Sequence, residues 1–184
     1  QHISTLTGML LDHLVQKTET YPLTQEMRRT ISMASVLHDI GKMEIGEQVL
    51  NSPEPRTPED EEIMRQHTLL GARMLEELDA YRDEDFVRVA YQICRWHHER
   101  YDGSGYPDQL VGEQIPIAAQ VVGLADAYET LTTGSGSQPP VPCAAAVQML
   151  CTGEAGAFNP VLLDCLREIE NEIDDAMRRR PETL

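Results

Sequence analysis

Apolar residues return every three or four positions along most of this chain, and alternating apolar–polar runs are almost absent. A stripe repeating near 3.6 residues buries one face of a helix and cannot bury one face of a strand, so the pattern confines the chain to helices. Residues 2–17 carry Ile3, Leu6, Leu10 and Leu14 on one stripe, which Tyr21-Pro22 breaks. Thr24 is a predicted N-cap for a helix with the stripe Met27, Ile31, Ala34 and His38. That helix is expected to end near Asp39-Ile40-Gly41, with Gly41 as the residue after its C-cap.

Residues 46–56 read as a proline-rich loop. Thr57-Pro58 then opens a helix with Glu59, Asp60, Glu61 and Glu62 near its positive end and the stripe Ile63, His67, Leu70, Met74, Leu78. A fourth helix is predicted from about Asp83 to His98, with Phe86, Val89, Ala90, Ile93 and His97 on one face. Glycine and proline punctuate 101–116 as a loop. The next helix begins near Pro116 and carries Ala119, Val122, Asp126 and Glu129 on one side. After a segment at 133–142 that reads as flexible, two further helices are predicted at about 143–151 and 160–179. Seven or so helices without a sheet make an all-α bundle. Its expected core is 1–132, with the helices of 133–184 packing on the same domain.

A net charge of −16 excludes partners such as nucleic-acid polymers, which need a basic patch to displace counterions. No apolar run approaches the ~20 residues of a membrane span, and no signal-peptide pattern opens the chain, so a cytoplasmic protein is expected. The chain opens inside a predicted helix, as a piece of a longer protein would. Cys94, Cys143, Cys151 and Cys165 lack paired metal-ligand spacing and read as reduced core thiols.

Six histidines remain: His2, His13, His38, His67, His97 and His98. A single histidine on an apolar stripe is more often a packed core residue than a ligand. Here five of the six fall on or beside the stripes of four predicted helices, together with Asp39 and Asp126. Buried carboxylates without partners are costly, and metal ions satisfy them and the imidazoles together. Neighbouring helical residues point about 100° apart, so His38-Asp39 and His97-His98 suit adjacent ions better than one ion. Nitrogen and oxygen donors without thiolate favour iron, manganese or zinc. Two divalent ions held by two carboxylates leave roughly +2 in the pocket, enough to draw in a phosphodiester despite the acidic surface. His13 reads as a surface or packing residue, and Trp96 as core.

The segments His38-Asp39-Ile40-Gly41-Lys42, His67, His97-His98-Glu99-Arg100-Tyr101-Asp102-Gly103-Ser104-Gly105-Tyr106-Pro107 and Ala125-Asp126-Ala127-Tyr128-Glu129 resemble an HD-GYP domain, a branch of the HD metal-dependent phosphohydrolases. Phe158-Asn159-Pro160 is similar to a Phe-Asp-Pro near that family's C-terminal end. The resemblance implies a helical HD core and a di- or trinuclear metal centre, often iron. It also implies hydrolysis of the bacterial second messenger cyclic di-GMP to the linear dinucleotide or GMP. It assigns His2, His38, Asp39, His67, His97, His98 and Asp126 as metal ligands. Asp39 and Lys42 become the catalytic pair, with Lys42 at the substrate phosphate. Tyr106, Arg100 and Glu129 become further substrate contacts, although Arg100 and Asp102 could instead pair across the loop.

Two segments depart from the family pattern. A basic stretch usually follows the Asp126 helix, whereas Thr133-Gly134-Ser135-Gly136-Ser137-Gln138-Pro139-Pro140 holds no cation. Ser52-Pro53-Glu54 stands where Lys-Pro-Gly is usual. The glutamate that accompanies a third ion would lie before residue 1. A hydrolytically silent signalling module whose Gly-Tyr-Pro loop meets a cyclase, sensor or receiver partner is the alternative, as is a phosphohydrolase for another nucleotide.

Overall fold

The leucine stripes become the inner faces of a helical bundle, in a computed structural model that describes residues 2–52, 56–78, 84–135 and 138–178. The helices are α1 (His2–Lys17), α2 (Gln25–Ala34), α3 (Glu47–Leu50), α4 (Pro58–Arg65) and α5 (His67–Glu76). They continue as α6 (Asp85–Trp96), α7 (Ile117–Thr133), α8 (Cys143–Thr152), α9 (Pro160–Glu168) and α10 (Glu170–Arg178). The described residues contain no strand, only the isolated bridges Asp102–Val111 and Ser135–Gln138. The all-α bundle expected from the stripes is the fold observed.

At the centre stands α7, in which every residue from Ala118 to Ala125 is buried. A helix apolar all round has nowhere to go but inside. Around it pack Leu6, Leu10, Leu11 and Leu14 of α1, Ile93 of α6, Leu150 of α8, Leu162 and Leu166 of α9 and Ile173 of α10, in one continuous cluster. Each such side chain contributes about 1.5–3 kcal/mol on leaving water. Predicted starts hold where a side chain caps them. Thr24 Oγ1 accepts from Met27 N at 3.2 Å, and Thr57 Oγ1 accepts from Asp60 N at 3.1 Å. Asn159 Oδ1 caps α9 by accepting from Val161 N at 3.0 Å.

Several boundaries differ from expectation, each with a local cause. The second helix stops being α-helical at Ala34 and continues as two 3-10 turns, Ser35–Leu37 and Ile40–Glu44, with His38 and Asp39 between them. Gly41 is therefore not a C-terminal cap in the left-handed region. It is glycine because a Cβ there would collide with the His67 carbonyl and the Gly71 amide. The helix predicted over 57–78 is two helices: Gln66 N bonds Ile63 O at 3.1 Å, tightening the turn and re-aiming the chain before His67. A similar break at Ile169 divides α9 from α10. Short turns too brief to show a period occupy the two predicted loops, as α3 and as a 3-10 turn at Gly112–Gln114. Pro53 and Glu54 of the Ser52-Pro53-Glu54 departure, and Gly136-Ser137, lie outside the described residues. No helix among the described residues is long and apolar enough to cross a membrane.

Candidate metal centre

Four chain segments deliver the cluster. His38 and Asp39 come from the junction of the two 3-10 turns, and His67 from the first residue of α5. His97 and His98 follow the end of α6, and Asp126 lies mid-way along α7. The junctions matter because a regular helix would carry adjacent side chains past the centre at 100° intervals.

Three of the imidazoles are aimed by the backbone. His38 Nδ1 bonds Ser35 O at 2.8 Å and His67 Nδ1 bonds Met64 O at 2.7 Å. His97 Nδ1 lies 2.9 Å from Ile93 O and 3.2 Å from Cys94 O. A carbonyl only accepts, so each Nδ1 carries a proton; Nε2 of His67 and of His97 then presents a lone pair, whereas His38 Nε2 carries a proton toward its two carboxylates, one that a metal ion would displace. Those Nε2 atoms converge on Asp39. Its Oδ1 lies 3.3 Å from His67 Nε2 and 3.9 Å from His97 Nε2, and its Oδ2 lies 3.4 Å from His38 Nε2. His38 Nε2 is also 3.6 Å from Asp126 Oδ1. Ligand atoms of Asp39, His67, His97 and His98 all lie within 4.8 Å of one another. His2 occupies the first turn of α1 and is not one of that group of four.

Burial sets which side of the cluster is open. The side chains of His67 and His97 are 2% and 0% exposed, whereas Asp39 and Lys42 are 32% and 41% exposed, so the cluster opens at Asp39 and Lys42. Burial lowers the basicity of His67, holds His97 at about 3 and takes His98 well below its ordinary value, leaving all three neutral near pH 7. For His38 burial acts in the same direction, but hydrogen bonds to Asp126 and Asp39 overcome it and raise the imidazole to about 10. Asp39 stays ionised against its burial because His38 and Lys42 hold it far below the usual carboxylate range. The result is two carboxylates and three neutral imidazoles, with a proton on His38 held between the carboxylates where a metal ion would take its place. That donor set fits divalent transition metals.

Close backbone approach brings the segments together. A Cβ on Gly123 of α7 would strike the His97 carbonyl, just as one on Gly41 would strike that of His67. Beneath the site, the buried Cys94 thiol donates to Leu37 O at 3.0 Å.

The Gly105-Tyr106-Pro107 loop lies against the cluster, with a cis Tyr106–Pro107 peptide. The Tyr106 ring stacks on His98 at 4.9 Å and 23°, and the Arg65 guanidinium sits over Tyr106 at 5.1 Å. Burial pushes the Tyr106 hydroxyl well above its ordinary pKa, so it remains a proton donor. The loop is fastened by Glu99, whose buried carboxylate accepts from Asp108 N at 2.7 Å and Leu110 N at 3.0 Å. Asp108 in turn accepts from Arg95 Nε at 2.8 Å and Trp96 Nε1 at 2.7 Å. Arg100 stacks on Phe158 at 4.8 Å and donates to Glu99 O at 3.1 Å. Asp102 bonds Ser104 rather than Arg100. Glu129 is half-buried one turn beyond Asp126, and His13 pairs with Glu168 at 2.6 Å, away from the cluster. An open groove of about 580 Å³ between α1 and α2 is lined by none of the cluster residues.

The sequence reading missed Arg65, Glu99, Gly123 and the packing role of Gly41. Arg65 stands two residues before His67, and only the helix break at Gln66 places it over the loop. Glu99 was quoted within the loop motif but given no task, because its partners are backbone amides.

The HD domain family matches residues 4–161. The chain belongs to the HD domain family. The residues that make the resemblance, His38-Asp39 and the Gly-Tyr-Pro loop, are those placed at the cluster. Among curated relatives, the domain is 34% identical to a cyclic di-GMP phosphodiesterase of Thermotoga maritima, over 81% of this chain and 39% of the relative. It is 36% identical to the cyclic di-GMP phosphodiesterase response regulator RpfG of Xanthomonas campestris, over 80% of this chain and 38% of the relative. The chain thus spans well under half the length of these relatives. Among solved structures, Bd1817 of Bdellovibrio bacteriovorus, described as an HDG"Y"P protein, superposes with a TM-score of 0.66 at 23% identity, over 92% of this chain and 51% of that one.

Proposed function

We propose that this domain is a metal-dependent phosphodiesterase that opens cyclic di-GMP, adding water across a phosphodiester bond to give the linear dinucleotide and then GMP. The observation that carries the reading is the convergence of three backbone-oriented imidazoles on both oxygens of Asp39. His38, Asp39, His67, His97, His98 and Asp126 would hold two divalent ions, with His2 a further ligand if α1 lends it. Iron or manganese suits the set ahead of zinc. When bound, such ions supply positive charge to the phosphate oxygens and acidify water.

The chain's own residues do the remainder. Lys42 Nζ lies 2.6 Å from Asp39 Oδ2 at the open edge, so it orients that carboxylate and meets an arriving phosphate with a cation. Tyr106 offers a hydroxyl proton, Glu129 and Arg100 flank the approach, and the buried histidine wall excludes water from behind. The helices of 133–184 complete the same domain. A bacterial messenger as substrate goes with a cytoplasmic location, and a cyclase, sensor or receiver domain is the fitting partner.

The test is cyclic di-GMP turnover by protein loaded anaerobically with ferrous iron or manganese, beside Asp39→Ala of unchanged circular dichroism. Linear dinucleotide or GMP from the wild type, with at least a hundredfold loss in the variant, supports the reading. No product from folded, metal-loaded wild type overturns it. A second reading, a silent signalling module, is favoured by the absence of any lysine or arginine between 133 and 140. It expects ligand or partner binding with no turnover.

A further inference from the structure

A cyclic dinucleotide carries two phosphates, and a single metal centre engages the one being cleaved. The second needs a cation elsewhere, and in an acidic chain with no lysine or arginine between 133 and 140 few are within reach of the cluster. Lys42, held 2.6 Å from Asp39, is committed to the phosphate at the metal centre. Arg100 is packed on Phe158, and its Nη1 serves backbone carbonyls. Arg65 differs from both. Its guanidinium carbon sits over the Tyr106 ring at 5.1 Å, and that ring stacks on His98, so it lies two layers out from a cluster residue. Its ion pair with Glu61 is long, 3.6 Å, with both side chains 47% exposed. Such a surface pair contributes little and is readily exchanged for a phosphate that accepts two parallel N–H bonds.

We propose that Arg65 is the residue that grips the second phosphate of the cyclic dinucleotide, with Tyr106 as the platform that holds its guanidinium in plane. The assignment rests on the phosphodiesterase reading and adds to it the contact that separates a two-phosphate substrate from a one-phosphate one. The Arg65 fork is held over the ring on one side and by only a long pair with Glu61 on the other, so exchanging Glu61 for a phosphate costs it little ordering.

The experiment compares wild type, Arg65→Ala and Arg65→Lys on cyclic di-GMP and on bis(p-nitrophenyl) phosphate, which has one phosphate. Losing a charge-assisted phosphate contact is expected to raise KM for cyclic di-GMP about 10- to 100-fold with kcat within about twofold. Rates on bis(p-nitrophenyl) phosphate should be unchanged, and Arg65→Lys should recover part of the loss. Equilibrium binding of a phosphorothioate analogue of cyclic di-GMP should weaken in Arg65→Ala, and its salt dependence should become shallower. An unchanged KM for cyclic di-GMP overturns the assignment while leaving the phosphodiesterase reading intact. Equal losses on both substrates overturn it too, by showing that Arg65 only supports the loop. Failure of the wild type on cyclic di-GMP brings down the phosphodiesterase reading and this assignment together.

Discussion

Gly41 and Gly123 stand where any side chain would force the cluster apart. Both leave no room for a Cβ against the carbonyl of a histidine, Gly41 against His67 and Gly123 against His97. Overpacking of this kind costs about 1–3 kcal/mol, and the shift falls on the cluster histidines themselves. Gly41→Ala and Gly123→Ala are each expected to lower the thermal midpoint and the metal content per chain together, measured by calorimetry and elemental analysis. Loss of stability with full metal content would show that the displaced backbone spares the imidazoles. At this scale the sequence revealed which residue types could hold a metal, because lone pairs and carboxylates are properties of single side chains. It did not reveal why Gly41 is glycine, because the reason is a carbonyl 26 positions away.

The elements are positioned as much by their interruptions as by their stripes. The break at Gln66 makes His67 the first residue of α5 and turns Arg65 toward the loop. Periodicity exposed the stripes of α1, α2, α6 and α7, but it runs through the breaks at Gln66 and Ile169, which involve neither glycine nor proline. The loop after His98 is likewise an element with its own fastening. Glu99 alone satisfies the amides of Asp108 and Leu110 from a nearly buried position. Removing it leaves two part-buried donors without their carboxylate, each at up to about 1 kcal/mol. Glu99→Ala is therefore expected to expose the 101–112 segment to limited proteolysis and to lower turnover through Tyr106, while the far side of the bundle keeps its hydrogen-exchange protection. Uniform loss of protection would mean that the loop does not open separately.

Across the whole molecule, the cluster ties stability to metal and to pH. Ions that bind the folded chain alone add about 2.7 kcal/mol at a free concentration one hundred times their Kd, so manganese should raise the thermal midpoint and a chelator should return it. Without metal, acid works against the fold. Below the ordinary histidine value of 6.5 the unfolded chain takes up protons at residues 67, 97 and 98, which the folded chain keeps neutral, so stability falls as pH drops. His38 acts oppositely, adding stability below 6.5 that disappears as pH rises through about 10. Three groups against one give a net loss, and the urea midpoint in chelator should be lower at pH 5 than at pH 7. An equal or higher midpoint at pH 5 would contradict the neutral, buried histidine wall. The cluster also has an order in time. Its parts are contributed from residue 38 to residue 126, and the last of them rides on the central helix α7. A nascent chain leaving the ribosome therefore exposes half-built coordination geometry until that helix emerges and docks, and metal capture becomes a marker that the central helix is in place rather than an aid to the early stages.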